Sequence, residues 1–206
     1  EVYVGTVSGV ISVYPRTANG NPTPLRTIQG NLTGLETVVA LFVDQVNDEL
    51  YAQNYGGSVV VFGRLDNGNV APVRPLATFN QPFGLVVDAR ANEIFVASGD
   101  GTIRVHDRLG NALRVIAGSA TLLTHAAGLS LLQDGTVLAG NQYNSPTTND
   151  AVLGYPRTQH GDGAPTVHLN FAAPLQRIVW GIASTRAFEC GEGQSAGRCL
   201  FRHSFE

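Results

Sequence analysis

Val13-Tyr14-Pro15-Arg16, with the turn Asn19-Gly20-Asn21 behind it, begins a pattern that recurs three more times along the chain. The arginines of the four copies are separated by 48, 44 and 49 residues. Regular spacing of this size is typical of proteins built from stacked repeats. The later copies are Val61-Phe62-Gly63-Arg64, Val105-His106-Asp107-Arg108 and Gly154-Tyr155-Pro156-Arg157.

Each copy of this motif is accompanied by three further strand-like segments. A strand such as residues 24–28 follows the turn, and two segments precede the motif. One is an apolar run such as residues 84–88, which we expect to be buried on both faces. The other alternates between apolar and polar residues, as residues 93–98 do, and we expect it to be half-exposed and farther from the centre of the blade ring. No window shows a helical period. Four strands in about 45 residues is the pattern of a β-propeller blade.

The sequence therefore predicts an all-β propeller of about four four-stranded blades over residues 1–185. Five blades, or part of a six-bladed ring, are the alternatives. Residues 1–6 match the second strand of the repeat, and the missing first strand reappears as residues 178–183. We expect these two segments to pair and close the ring, because closure removes exposed strand edges. Residues 186–206 would form a disulfide hairpin or a partial blade.

The composition describes a folded chain without a basic surface. Of its 206 residues, 43% are hydrophobic and 14% are charged, and the formal net charge is −3. The chain therefore has no cluster of basic residues of the kind that binds nucleic acid. No apolar run approaches the roughly 20 residues that span a bilayer. We expect neither a nucleic-acid partner nor a membrane span.

The two cysteines, Cys190 and Cys199, enclose a polar, glycine-rich stretch. This arrangement favours a disulfide, with free thiols or a metal site as alternatives. A metal site is disfavoured because the spacing is not that of a zinc site and no histidine pair accompanies it. The chain contains no Met, so Glu1 is not an initiator residue. We expect a secreted or periplasmic protein whose signal peptide has been removed.

The repeat resembles those of NHL-type and gluconolactonase-type propellers from secreted bacterial proteins. The likeness is carried by residues 13–21, 24–28 and 82–88. It implies a propeller fold and, for the gluconolactonase type, a metal-dependent lactone hydrolase. Enzymes of that type place acidic and Asn metal ligands after inner strands, where this chain has Asp44 and Asp88.

Two kinds of residue at strand ends could ligate a metal. Besides the two aspartates, Asn54 and Asn141 end the second strand of two units, and oxygen ligands from several blades would suit Ca²⁺. However, Asp recurs from unit to unit, as it does where its side chain accepts hydrogen bonds from turn amides. We therefore expect structural aspartates and no cofactor, with calcium as the alternative. The repeated arginines are expected to brace neighbouring blades through backbone carbonyls or Asp.

Loops and strand ends near the mouth of the central channel supply the binding candidates. They are Asn54, Tyr55, His125, Asn141, Tyr143 and Asn144. Because a rigid ring can present variable loops, we expect a non-catalytic binding or structural module that contacts a protein or a glycan. It could be a subunit of a larger extracellular assembly. The alternative is a calcium-dependent lactone hydrolase of gluconolactonase type, which would need carboxylates converging on the channel.

Overall fold

A computed structural model describes residues 1–142 and 150–171. Within these two ranges the chain forms fifteen β-strands and one short 3₁₀ turn, Ser119–Thr121, and no α-helix. No helix in this part of the chain has the length and apolarity needed to cross a membrane. The strands pair antiparallel into four sheets, in each of which the strand order follows the chain. The predicted all-β propeller is confirmed, with four blades among the described residues.

The strands are named in chain order and grouped by sheet. Blade 1 contains β1 (Val2–Gly5), β2 (Ile11–Tyr14) and β3 (Arg26–Ile28). Blade 2 contains β4 (Val38–Asp44), β5 (Glu49–Asn54), β6 (Val59–Gly63) and β7 (Arg74–Pro75). Blade 3 contains β8 (Pro82–Asp88), β9 (Glu93–Ser98), β10 (Thr102–Asp107) and β11 (Ala112–Ile116). Blade 4 contains β12 (Ala126–Leu131), β13 (Val137–Asn141), β14 (Ala151–Tyr155) and β15 (Val167–Asn170).

The first strands of the complete blades lie innermost, because β4, β8 and β12 contact one another in succession. Blade 1 has three described strands, and β1 takes the place of a second strand, as the sequence predicts. Its expected partner at residues 178–183 lies outside the described residues. The same holds for residues 186–206 with both cysteines, so ring closure and the hairpin stay predictions.

The core consists of three apolar clusters, each between two consecutive blades. Ile11 and Ile28 of blade 1 pack against Leu50 of blade 2, and Phe95 of blade 3 belongs to a cluster with Leu153 of blade 4. Because side chains alternate along a strand, β5 contributes to two clusters: Leu50 faces blade 1, whereas Tyr51 faces blade 3.

The second strands differ from the sequence-based expectation. The alternating segments were predicted to be half-exposed, yet every residue of β5 is buried, and so is every residue of β9 except Glu93. The expectation was wrong because a second strand lies between the sheets of both neighbouring blades. Both of its faces are therefore covered, and the polar residues in the alternation are buried with the apolar ones.

Two of the glycine turns dock on the blade before them. In blade 2, Gly68 N donates to Thr27 O of blade 1 at 2.7 Å. In blade 4, Gly161 N donates to Val115 O of blade 3, also at 2.7 Å. Both glycines have a positive φ, 81° and 63°, which residues with a Cβ adopt only with strain. These docked turns join consecutive blades by backbone hydrogen bonds near their outer edges.

Candidate binding face

One end of the propeller is held by ion pairs between consecutive blades. Glu49, at the start of β5, accepts hydrogen bonds from Arg74 at 2.6 and 2.8 Å and from Arg108 of blade 3 at 3.0 and 2.7 Å. The Tyr51 hydroxyl donates a further bond to it at 2.7 Å. Burial, the strongest single effect, raises the pKa of Glu49, but the bonds from Arg74, Arg108 and Tyr51 together lower it to about 2. The carboxylate therefore stays charged although it is buried.

The arrangement recurs in the other interfaces, and we call it the Glu–Arg–Arg clamp. Glu93 is held by Arg114 and by Arg157 of blade 4, at 2.8 and 3.2 Å. Glu1 is held by Arg26 at 2.9 Å and lies 3.6 Å from Arg64 of blade 2. Three of the four repeated arginines, Arg64, Arg108 and Arg157, thus brace the preceding blade as expected, but chiefly through Glu rather than through backbone carbonyls or Asp. This Glu, at the start of the second strand in blades 1, 2 and 3, was not anticipated.

The opposite end, where the second strands finish, carries the predicted binding residues, and two of these are structural. Asn54 Oδ1 accepts a bond from Glu36 N at 2.9 Å, and Asn54 Nδ2 donates to Gly34 O at 2.9 Å. Asn141 does the same in blade 4, accepting from Thr124 N at 2.8 Å and donating to Leu122 O at 3.0 Å. Each Asn therefore fastens the loop that leads into its own blade, and its side chain is fully buried.

The aspartates considered as metal ligands bind their own turns. Asp44 Oδ1 accepts bonds from Val46 N at 2.8 Å and Asn47 N at 3.1 Å. Asp88 Oδ1 accepts bonds from Arg90 N and Ala91 N at 3.1 and 3.2 Å. The predicted structural role of both residues is confirmed. Among residues 1–142 and 150–171, no three His, Cys, Asp or Glu side chains converge on one point. These residues do not fit the metal site that the gluconolactonase resemblance implies.

Blade 3 departs from the repeat at this end. Ser98 stands where blades 2 and 4 have the fastening Asn, and its buried Oγ has no hydrogen-bond partner among the described residues. The loop leading into the blade contains Gln81, whose φ of 45° is unusual for a residue other than glycine. The pairing of β8 with β9 then shifts between Pro82 and Gly84, so Phe83 occupies a β-bulge. Equivalent shifts occur in blades 2 and 4, and the bulged residue of blade 2 is Val39. A bulge redirects the side chain that it carries.

The redirected Phe83 lies between residues of the two neighbouring blades. Its ring centroid is 6.1 Å from that of Tyr55 in blade 2, edge-on, and 5.0 Å from that of His125 in blade 4. Tyr55 is 52% exposed, whereas Phe83 and His125 are half-buried. Gly99 leaves room for the group, because a Cβ there would lie 2.9 Å from the His125 ring and 3.2 Å from the Phe83 ring. We call Tyr55, Phe83 and His125 the aromatic row.

One exposed carboxylate lies near the aromatic row. Glu36 is exposed and has no ion-pair partner among the described residues. It lies beside the turn after Tyr55, since a Cβ on Gly56 would be 2.7 Å from its Oε2. Most described arginines lie at the clamp end, and the exception, Arg104, is paired with Asp100 at 2.8 Å. The face therefore combines the exposed ring of Tyr55 and two half-buried rings with an unpaired carboxylate.

The sequence-predicted residues are thus divided into three groups. Tyr55 and His125 come together through Phe83, which sequence reasoning placed only in a structural motif. Asn54 and Asn141 are fastened to backbone. Tyr143 and Asn144 lie outside the described residues.

Comparison with known proteins supports the fold and nothing more specific. No family model and no curated protein matches the chain. A solved structure titled Kuenenia stuttgartiensis Hydrazine Synthase is similar, with a TM-score of 0.60 and 17% sequence identity. The likeness covers 79% of this chain and 43% of that chain, so the sequence spans less than half of that neighbour.

Proposed function

We propose that the chain is a non-catalytic propeller that binds a partner through the aromatic row. The observation that carries the proposal is that two departures from the repeat coincide beside Phe83 in blade 3. They are Ser98 in place of the fastening Asn and the positive φ of Gln81. The bulge that carries Phe83 recurs in blades 2 and 4, but there it carries no aromatic ring. Departures from local rules concentrate at functional sites, because a purely structural repeat gains nothing from them.

The chemistry of the face suits a protein or a glycan. An exposed Tyr offers a flat apolar ring together with a hydroxyl, a combination common in binding surfaces. Glu36 adds an acceptor for the hydroxyl groups of a sugar or for a cationic side chain. A partner of either kind would make the chain a recognition or structural subunit within a larger assembly.

The alternative of a calcium-dependent lactone hydrolase has no observation in its favour. Calcium requires six to eight oxygen ligands. The oxygen donors considered for it, Asp44, Asp88, Asn54 and Asn141, already accept hydrogen bonds from backbone amides. We derive no catalytic step from them.

The proposal places the protein outside the cytoplasm, in the periplasm or in the medium. The support is the pair Cys190 and Cys199 on either side of a short polar stretch of sequence. Disulfides persist in oxidising compartments and are rare in the cytosol.

The test is binding of the full chain to a glycan array and to a peptide array. Tyr55→Ala and Phe83→Ala should each reduce the signal at least about tenfold, the loss expected for a central aromatic contact. Leu109→Ala is the matched control, because Leu109 is 73% exposed and lies in a turn at the clamp end. Equal binding by all three variants would contradict the proposal. Lactone hydrolysis that depends on added Ca²⁺, or a rise of several degrees in melting temperature with it, would favour the enzyme.

A further inference from the structure

Consecutive blades are joined by a repeated set of contacts. All three interfaces have an apolar cluster and a Glu–Arg–Arg clamp. In each clamp the earlier blade supplies the Glu and an Arg from its outermost strand, and the later blade supplies the Arg after its third strand. In two interfaces the later blade also docks its glycine turn on the earlier one. We call the part of the earlier blade that supplies the Glu and the outer-strand Arg its donating half. We call the part of the later blade that supplies the other Arg and the glycine turn its receiving half.

Blade 1 presents a receiving half that no described residue fills. Arg16, equivalent to Arg64 and Arg108, is exposed and has no ion-pair partner in the described part of the chain. Val2 and Val4 on the same face are 45% and 42% exposed. A cavity of about 440 Å³ opens there, lined by β1 residues and by the turn after β2.

The turn on this face has the conformation of the docked turns. Gly20 has a φ of 71°, between the values for Gly161 and Gly68. Its N–H bonds to Asn19 Oδ1 at 2.8 Å, whereas those of Gly68 and Gly161 donate to the neighbouring blade. The turn is therefore already shaped for docking.

Blade 4 lacks the donating half. At the place of the clamp Glu it has Thr136, and in its outermost strand Val167 stands where the other three blades have Arg26, Arg74 and Arg114. Blade 4, in this chain or in a second copy, therefore has no carboxylate at the position of the clamp Glu. In blades 1, 2 and 3 the donating half is already occupied by the following blade.

We propose that this face of blade 1 is an interaction surface for a further β-blade that carries the donating half. Such a blade has Glu two residues before an aromatic residue in its second strand and Arg two residues before a large aliphatic residue in its outermost strand. Its Glu would hold Arg16, and its outermost strand would accept the N–H of Gly20. Its apolar face would cover Val2 and Val4.

The first test transfers the donating half to blade 4 of the full chain through Thr136→Glu and Val167→Arg; Leu169 already supplies the large aliphatic residue. Neither Thr136 nor Val167 is fully buried, so the fold should tolerate these changes. The double variant should self-associate head to tail in sedimentation velocity, and adding Arg16→Ala should reverse this. A double variant that stays monomeric would overturn the proposal. So would an unmodified chain whose self-association depends on Arg16, since a second copy would then be the occupant.

The second test supplies the blade directly. A copy of residues 82–135 is placed before Glu1. It contains blade 3 and the strand β12, which becomes the first strand of blade 1. Glu1 then follows the copied β12 at the same spacing as Thr136 does in the natural chain. The melting temperature should rise by several degrees, and Arg16→Ala should lower it in the extended chain but not in the original. The matched control changes the copied Glu93 to Gln and the copied Arg114 to Gln, and it should abolish the sensitivity to Arg16→Ala. Equal sensitivity in both extended chains would overturn the proposal.

Discussion

Arg108 at the end of the third strand of blade 3 donates two hydrogen bonds to Glu49 at the start of the second strand of blade 2, at 3.0 and 2.7 Å. The two residues lie 59 positions apart in the chain. The contact therefore depends on the packing of whole blades against each other, and it in turn fixes how they pack.

Removing the charge of Glu49 should destabilise the protein. In Glu49→Gln the partly buried guanidinium of Arg74 loses its counter-ion, so we expect the free energy of unfolding to fall by about 2–3 kcal/mol. Urea unfolding of the full chain measures this. Glu36→Gln is the control, because that exposed carboxylate has no described partner, and it should change stability by less than about 0.5 kcal/mol. An equal effect of both changes would contradict a structural role for the clamp.

The clamp also shows how far the sequence alone could lead. Periodic arginines are visible in the sequence, and a bracing role could be inferred from their recurrence. Glu49 and Glu93 are equally periodic, but each looks like an ordinary first residue of an alternating strand. Their pairing with arginine depends on how two sheets stack, which no local pattern records.

The candidate site was predictable only in part, for a similar reason. Tyr55 and His125 could be selected because they lie in turns or between strands, where binding residues concentrate. Phe83 belongs to an apolar run that resembles a buried inner strand. The bulge that redirects it is a property of the pairing of β8 with β9, which the run itself does not reveal. Composition gives no sign of this combination.

The stability of the fold should depend on pH through the clamps. The folded pKa of Glu49 is about 2, below its ordinary value of 4.5. A carboxyl group with a depressed pKa stabilises the fold fully above its unfolded pKa, and this contribution is lost as the pH falls towards the folded pKa. The melting temperature should therefore drop between about pH 5 and pH 2. Glu49→Gln should flatten this drop, and an unchanged profile in that variant would contradict the assignment.

Truncating the fastening Asn54 to Ala should lower the free energy of unfolding, whereas truncating Ser98, its replacement in blade 3, should not. Asn54→Ala removes the bonds to Glu36 N and Gly34 O, which are partly shielded from water, so it should cost about 1–2 kcal/mol. Ser98→Ala removes a hydroxyl that has no described partner and should be neutral or slightly stabilising. Chemical unfolding of the two variants makes the comparison. Equal destabilisation would mean that Ser98 has a bonding role of its own.

Cys190 and Cys199 should be joined in the protein purified without reductant. Intact-mass measurement should give a chain about 2 Da lighter than after reduction, because a disulfide has two hydrogens fewer than two thiols. Alkylation without reductant should leave both residues unmodified. Two alkylated thiols would contradict the bond and remove the main support for export.

The N-terminal strand should contribute to stability through Glu1 and Tyr3 rather than through its valines. Tyr3 packs against the cluster between blades 1 and 2, and Glu1 holds Arg26 at 2.9 Å. Deleting residues 1–7 removes both contacts and exposes the edge of β2. The shortened chain should melt at a markedly lower temperature or aggregate, since a strand edge is a template for association. Val2→Ala and Val4→Ala are the controls: both side chains are more than 40% exposed, so each should cost less than about 1 kcal/mol. A shortened chain that melts like the full one would show that β1 is not an integral strand of blade 1.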